Sequence, residues 1–417
     1  MARRAVNAVR WAVVASLGSR ILLFVVALAT VATIGVRERA AFLRDPRAEA
    51  LSGFAGRLFG PWAHWDGVWY VRIAADGYAA HENSQAFFPL YPLLVRAAAY
   101  VLGGDLVVAG VVVSVVCYGA AMALLFRLVR DELGVPVALW SVVFISVFPT
   151  ALVFQAVYSE SLFLMLTLLC FSAARRGQWL AAGVAGLLAT ATRSTGLALL
   201  VPLAFMWWEQ WRGAGLRLPG GPAAPKRPGK RPKPWTVVAL ALVPVGLAVY
   251  MVYLWQAFGD PLLFGAVQGN WGRGLAAPWT AIVEGVRSAY DGVAWLAGEG
   301  LGALAGTRND SGGMPIQELA NVLEFAGLAA GIVLVVVCWR TLPAPYTLYA
   351  LAALLFPLFY PAAGRPLSSL PRFVLVDFPL FIGLAAVLVP RPLARWAVAA
   401  CFSFLLIVGT VYFAAWF

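Results

Sequence analysis

A chain of 417 residues that is 62% apolar and only 12% charged cannot hide that surface in a water-soluble core, so it reads as an integral membrane protein. Its net charge of +12 is a topology signal and not a nucleic-acid footprint, because the basic residues gather where the positive-inside rule places cytoplasmic loops. Four cysteines set singly in apolar runs give no disulfide framework, two histidines are too few for a zinc cluster, and the alternating ten-residue segments of a membrane barrel are missing.

In chain order, Arg3, Arg4 and Arg10 precede an apolar run over about 11–36. That start has the basic flank of a signal peptide, but its length and the spans that follow make it an uncleaved first helix. Further spans are predicted over about 106–129, 135–156, 161–174, 178–192, 195–210, 236–257, 320–339, 345–361, 373–389 and 394–416. The result is an all-α polytopic bundle of about eleven transmembrane helices, with the N-terminus inside. The pair meeting at the polar ATATRSTG turn is short, and an even count would bring the C-terminus inside as well.

The whole chain, 1–417, reads as a single membrane-embedded domain with three long connections. Residues 37–105 form a first outer loop, rich in aromatics and with helical character of its own. Residues 212–234 are a Pro/Gly/Lys/Arg linker, expected to be cytoplasmic and disordered. Residues 258–318 form a second outer loop, in which Ile282, Val286, Ala289, Val293 and Leu296 recur at helical spacing opposite Glu284, Arg287 and Asp291. This predicts an amphipathic helix in the interface, docked as a lid or simply packed at the surface. The two halves show no internal repeat of the transporter kind.

The chemistry-bearing residues collect on the outer side. In HWDGVWYVRIAADGY, Trp65, Trp69 and Ile73 fall at i, i+4 and i+8 and predict a helix from about Gly67 to Asp76. Asp66 stands at its start, as an N-cap, as a working carboxylate, or as both. Arg72 and Asp76, four apart, suit a local ion pair. HENSQAFFPLYPLL follows, with Glu82 at a polar edge and Phe87, Phe88 and Tyr91 as either a membrane-interface belt or a stacking wall. Glu160 in YSESLF, Arg193 in RSTG and Arg372 in SLPRF each sit at a span end, with Arg365 near the last. Charges there need partners. One carboxylate with two or three arginines suits transfer from a lipid phosphate, the acid serving an acceptor hydroxyl and the arginines the departing phosphate.

The ordered set WDGVWYVRIAADGY, AFFPLYP, YSESLF, RSTG, GDPLLF and SLPRF, over about residues 20–380, resembles the PIG-V family, GPI mannosyltransferase II and its bacterial relatives. The resemblance implies a GT-C glycosyltransferase that takes mannose from a polyprenyl-phosphate-mannose donor. Transfer would be to a lipid-linked, glycolipid or glycan acceptor at the outer or lumenal face, with inversion. It implies Asp66 as the catalytic residue and Glu160 as the second outer acid, positioning the acceptor or a divalent ion. The substrate set is then Trp65, Trp69, Glu82, Tyr91, Glu160, Arg193 and Arg372. No cofactor is fixed, and the outer acids suit a metal-dependent or a metal-free reaction. The family's usual Arg-Ser-Asn-Gly is Arg193-Ser194-Thr195-Gly196 here. Expected partners are membrane lipids, donor and acceptor, without nucleic acid. The setting is the plasma membrane for a bacterial chain or the ER membrane for a eukaryotic one. The alternatives are a lipid-linked-sugar flippase and a scaffold subunit.

Overall fold

A computed structural model describes residues 2–35, 53–213, 231–300 and 315–415. Among these the regular structure is helical, with only isolated bridges joining Arg273 to Ala362 and Ala362 to Arg365. A bilayer leaves no water for backbone N–H and C=O groups, and a helix satisfies them internally. Five stretches are long and apolar enough to cross. They are Ser16–Thr33 within α1 (Ala2–Thr33), Leu106–Leu133, Pro234–Phe258, Glu318–Thr341 and Pro392–Ala415. A sixth arises if Leu370–Val376 and Phe378–Leu388, bent by 72° at Asp377, count as one span. The protein is thus a multi-pass helical membrane protein. The other expected spans are shorter helices, because polar turns interrupt them. Of the three long connections, residues 36–52, 214–230 and 301–314 lie outside the described residues. The expected basic linker falls almost wholly among them.

After α1 come α2 (Gly53–Phe59), α3 (Asp66–Asp76) and α4 (Leu90–Val101). Asp105 then caps α5 (Leu106–Leu133), its Oδ1 accepting from Val108 N at 2.8 Å. The chain continues through α6 (Val135–Val147), α7 (Glu160–Arg175), α8 (Trp179–Thr192) and α9 (Leu200–Arg212). α10 (Val245–Phe258), α11 (Pro278–Trp295) and α12 (Pro315–Thr341) come next. The last are α13 (Ala344–Leu355), α14 (Leu370–Val376), α15 (Phe378–Leu388) and α16 (Pro392–Ala415).

The core lies where α5, α6 and α7 pack together, and it is filled by Phe126, Phe144, Phe154, Phe163 and Phe171, all essentially inaccessible. Arg20 of α1 enters this core. It donates to Ala151 O at 2.5 Å and Ser146 O at 2.6 Å over the Tyr118 ring, so its charge meets carbonyl dipoles where the short turn Ala151–Phe154 frees them. Elsewhere helices meet through small residues. A side chain at Gly246 of α10 would run into Leu187 O and Ala191 N of α8, the close approach typical of membrane helices.

The amphipathic helix expected in the second outer stretch exists as α11, but its packed face is not the predicted one. Ala281, Gly285, Ala289 and Gly292 are buried, while Val286 and Val293 point outward. Small residues let α11 approach α12 and Leu367 closely, and the larger apolar side chains cover the other side. Periodicity found the helix but could not rank its two apolar stripes.

Candidate functional site

Four segments converge at the Glu160 end of α7: the start of α3, the first turn of α7, the α8–α9 turn, and α14. They are tied by main-chain and hydroxyl bonds. Val157 N donates to Trp62 O at 2.8 Å. The Tyr158 hydroxyl accepts from Asp66 N at 3.2 Å and donates to His64 O at 3.4 Å. Tyr70 donates to Ser159 Oγ at 2.8 Å, and Thr150 Oγ1 donates to Pro371 O at 3.2 Å. His64 Nδ1 lies 3.1 Å from Phe413 O, and burial pushes its imidazole down to about 4, so it stays a neutral strut toward α16.

On this frame sit two carboxylates and two guanidiniums from sequence positions far apart. Arg372 Nη1 donates to Asp66 Oδ2 at 2.6 Å, while its Nε and Nη2 donate to Glu160 Oε1 at 3.0 and 2.6 Å. Arg193 Nη1 reaches the same Glu160 oxygen at 2.7 Å and Ser159 Oγ at 3.5 Å. The Tyr158 ring lies beneath Arg372 at 4.7 Å, and the Phe373 ring beneath Arg193 at 5.2 Å. Burial is graded: the Glu160 side chain is 0% accessible and that of Asp66 is 38%. Glu160 is therefore the floor of the cluster, fixing both arginines, and Asp66 is the carboxylate that something arriving from outside can reach.

Backbone conformation sets this aim. Trp65, immediately before Asp66, has φ 57°, and Ser369, just before α14, has φ 68°. Left-handed conformations at non-glycine residues cost about 1–3 kcal/mol and persist where surrounding contacts over-determine them. Here they flank the two residues that form the Asp66–Arg372 pair. Asp66 is not the N-cap of α3. Trp65 holds that position, and the Asp66 carboxylate turns to Arg372 instead.

The other expected site residues divide. Trp69 stacks on Phe87 with centroids 5.8 Å apart and meets the edge of Trp271, and Trp65 stacks on Tyr412. Both tryptophans lie on or beside α3, close to Asp66 along the chain. Tyr91 does not face an open surface. It is fully buried, packs edge-on to Tyr70, and spends its hydroxyl on Gly110 O and Ser114 Oγ. It supports Tyr70 from below and cannot wall a sugar pocket. Glu82 is exposed on the turn before Ser84–Ala86. Asp76 pairs with His81 at 3.0 Å, and Arg72 lies over Trp69. Tyr158, Ser159 and Arg273 belong to the site although the sequence did not single them out. Tyr158 and Ser159 stood next to Glu160 in the same motif. Arg273, in an isolated Gly-Arg-Gly, carried no periodic or motif signal.

The fold and this cluster define a polytopic helical membrane protein with a buried guanidinium–carboxylate centre opening at one end of the bundle. Residues 6–212 match the family model described as Mannosyltransferase (PIG-V). GPI mannosyltransferase 2 of Drosophila melanogaster is 31% identical over 176 residues, 39% of this chain and 39% of its own. GPI alpha-1,6-mannosyltransferase 2 of Mus musculus is 31% identical over 171 residues, 37% of this chain and 33% of its own. The chain belongs to the PIG-V mannosyltransferase family. It aligns with only about a third to two fifths of the length of those curated relatives.

Among solved structures, the Archaeoglobus fulgidus oligosaccharyltransferase is similar at TM-score 0.40 and 16% identity, over 94% of this chain and 52% of that one. ArnT from Cupriavidus metallidurans, bound to undecaprenyl phosphate, is similar at TM-score 0.30 and 14% identity, over 76% of this chain and 71% of that one. These structural likenesses are too remote to carry an argument about the site.

Proposed function

We propose that this protein is a GT-C-type membrane mannosyltransferase, taking mannose from a polyprenyl-phosphate-mannose donor and passing it with inversion to a hydroxyl of a lipid-linked or glycan acceptor at the outer or lumenal face. The observation that carries this is the Arg372 bridge between reachable Asp66 and buried Glu160. It sets a carboxylate beside a fixed cation at an opening of the bundle. Asp66 takes the proton of the acceptor hydroxyl, whose oxygen forms the new bond to the anomeric carbon. The bond from that carbon to the phosphate oxygen breaks, and the phosphate leaves with the electron pair. Three of the five N–H groups of Arg372 are engaged by Asp66 and Glu160, so two remain for the phosphate. Trp65 offers a ring edge toward the sugar, while Trp69, buried between Phe87 and Arg72, backs the site from behind. Glu160 acts through the arginines it fixes.

A divalent ion does not suit this donor set. Among the described residues no three His, Cys, Asp or Glu side chains gather as ligands, and a guanidinium already bridges the two acids.

The alternative is a flippase using the same cluster to escort a lipid phosphate. Proteoliposomes holding labelled donor in one leaflet separate the two functions. The transferase consumes donor only when acceptor is supplied and yields labelled product. Movement of intact donor across the bilayer, with no product at any acceptor concentration, would establish the flippase instead.

A further inference from the structure

Residues 267–276 form a strap beside the cluster, fastened on both sides. On one side Asn270 donates to Asn83, and Trp271 packs edge-on against Trp69 and Phe87 at 6.0 and 6.2 Å. On the other, Ala363 N donates to Gly272 O at 2.8 Å, Gly274 N to Pro361 O at 3.3 Å, and Ala276 N to Phe359 O at 2.9 Å. Arg273 lies between these fastenings. It is half-buried, and its Nη2 donates to Ser368 O at 3.1 Å, one residue before the strained Ser369 that leads into Arg372.

The charges around it do not balance. Arg193 and Arg372 share Glu160, Arg372 also holds Asp66, and Arg365 pairs with Glu324. Arg273 is the fourth guanidinium facing three carboxylates, and among the described residues it has no acid within ion-pair distance. Burial drives its pKa below the ordinary arginine value, and the more distant charges of Asp66 and Glu324 offset this only in part. A half-buried cation lacking a counter-ion is costly to hold unless an anion completes it. Two guanidiniums flanking one opening suit a phosphate, which offers several oxygens to planar N–H pairs. Arg193 differs from Arg273 in that it already has Glu160 as a counter-ion and is the less exposed of the two guanidiniums on that acid, 14% against 19% for Arg372.

We propose that Arg273, carried on the strap, binds the phosphate of the lipid-linked substrate together with the two remaining N–H groups of Arg372, and so fixes the leaving group. This rests on the donor function proposed above, and it assigns the second phosphate contact to Arg273 where the sequence pointed to Arg193. The shared chemistry is a phosphate ester, which a polyprenyl phosphate or an ordinary phospholipid headgroup could provide.

The full chain in nanodiscs of neutral lipid is titrated with short-chain polyprenyl phosphate, with the uncharged polyprenol, with phosphatidylglycerol and with inorganic phosphate. The wild type is expected to bind polyprenyl phosphate at least about tenfold more tightly than polyprenol, a margin expected of a charged hydrogen bond. Equal binding of phosphate and alcohol overturns the proposal without recourse to any variant. Arg273→Gln is expected to lose about tenfold in affinity for polyprenyl phosphate and none for polyprenol, and to raise the KM for donor but not for acceptor. Arg273→Lys is expected to recover part of the loss. Unchanged phosphate affinity in Arg273→Gln overturns the assignment, as does a preference for phosphatidylglycerol over polyprenyl phosphate. If the wild type transfers mannose while Arg273→Gln binds normally, this inference alone falls. If phosphate binding depends on Arg273 but no mannose is transferred, the mannosyl-donor function alone falls.

Discussion

Glu160 shows how much a role depends on depth. Its sequence position, first residue of α7 beside a Tyr-Ser pair, suits a substrate ligand, yet its side chain is inaccessible and one oxygen receives both Arg372 and Arg193. Its other oxygen, Oε2, is buried with no hydrogen-bond partner among the described residues. Removing the charge would strand Arg193 and leave Arg372 with Asp66 alone, and breaking a buried pair in this way costs about 3–5 kcal/mol. Glu160→Gln is therefore expected to lower the thermal midpoint in detergent clearly as well as to reduce transfer. An unchanged midpoint would show that the arginines do not depend on it. Asp66 and Arg372 were legible in the sequence because each lies in a motif whose order along the chain is itself informative. Tyr91 was misplaced for a physical reason: an aromatic cluster beside prolines has the same spacing whether it lines a pocket or fills the space beneath one. Arg273 was invisible because what distinguishes it is a missing partner, and that is a property of three dimensions.

Among the elements, helix identity was legible and helix extent was not. Apolar runs near 20 residues recovered α1, α5, α12 and α16 closely. The expected span over about 135–156 instead ends at Val147 and continues as a turn, Ala151–Phe154, whose freed carbonyl at Ala151 receives Arg20. Such breaks are chosen by tertiary partners, so no local window contains them. The α8–α10 contact tests whether this packing holds the site. α8 ends at Thr192, directly before Arg193, and Gly246 of α10 leaves no room beyond its hydrogen against the α8 backbone. Gly246→Leu must push the helices apart, and overpacking of this kind costs about 1–3 kcal/mol. The expected outcome is a lower thermal midpoint with reduced transfer, since α8 carries Arg193 toward Glu160. A variant with wild-type stability and rate would show that the approach is not needed.

At the scale of the whole molecule, a helical membrane body gathers a polar cluster at the Glu160 end of α7. α3 brings Asp66, α7 brings Glu160, the α8–α9 turn brings Arg193 and α14 brings Arg372, so the centre exists only when segments some three hundred residues apart in sequence are folded together. Membership of the PIG-V family and the exposure of Asp66 beside buried Glu160 are what support the proposed sugar transfer, with Asp66 as its base. The most direct test is the transfer of labelled mannose from polyprenyl-phosphate mannose to a hydroxyl acceptor by the purified chain, compared with Asp66→Asn. The wild type should transfer, and the variant should keep its fold and donor binding while losing at least about a hundredfold in kcat, as expected for removal of a general base. Wild-type kcat in Asp66→Asn would contradict the central claim.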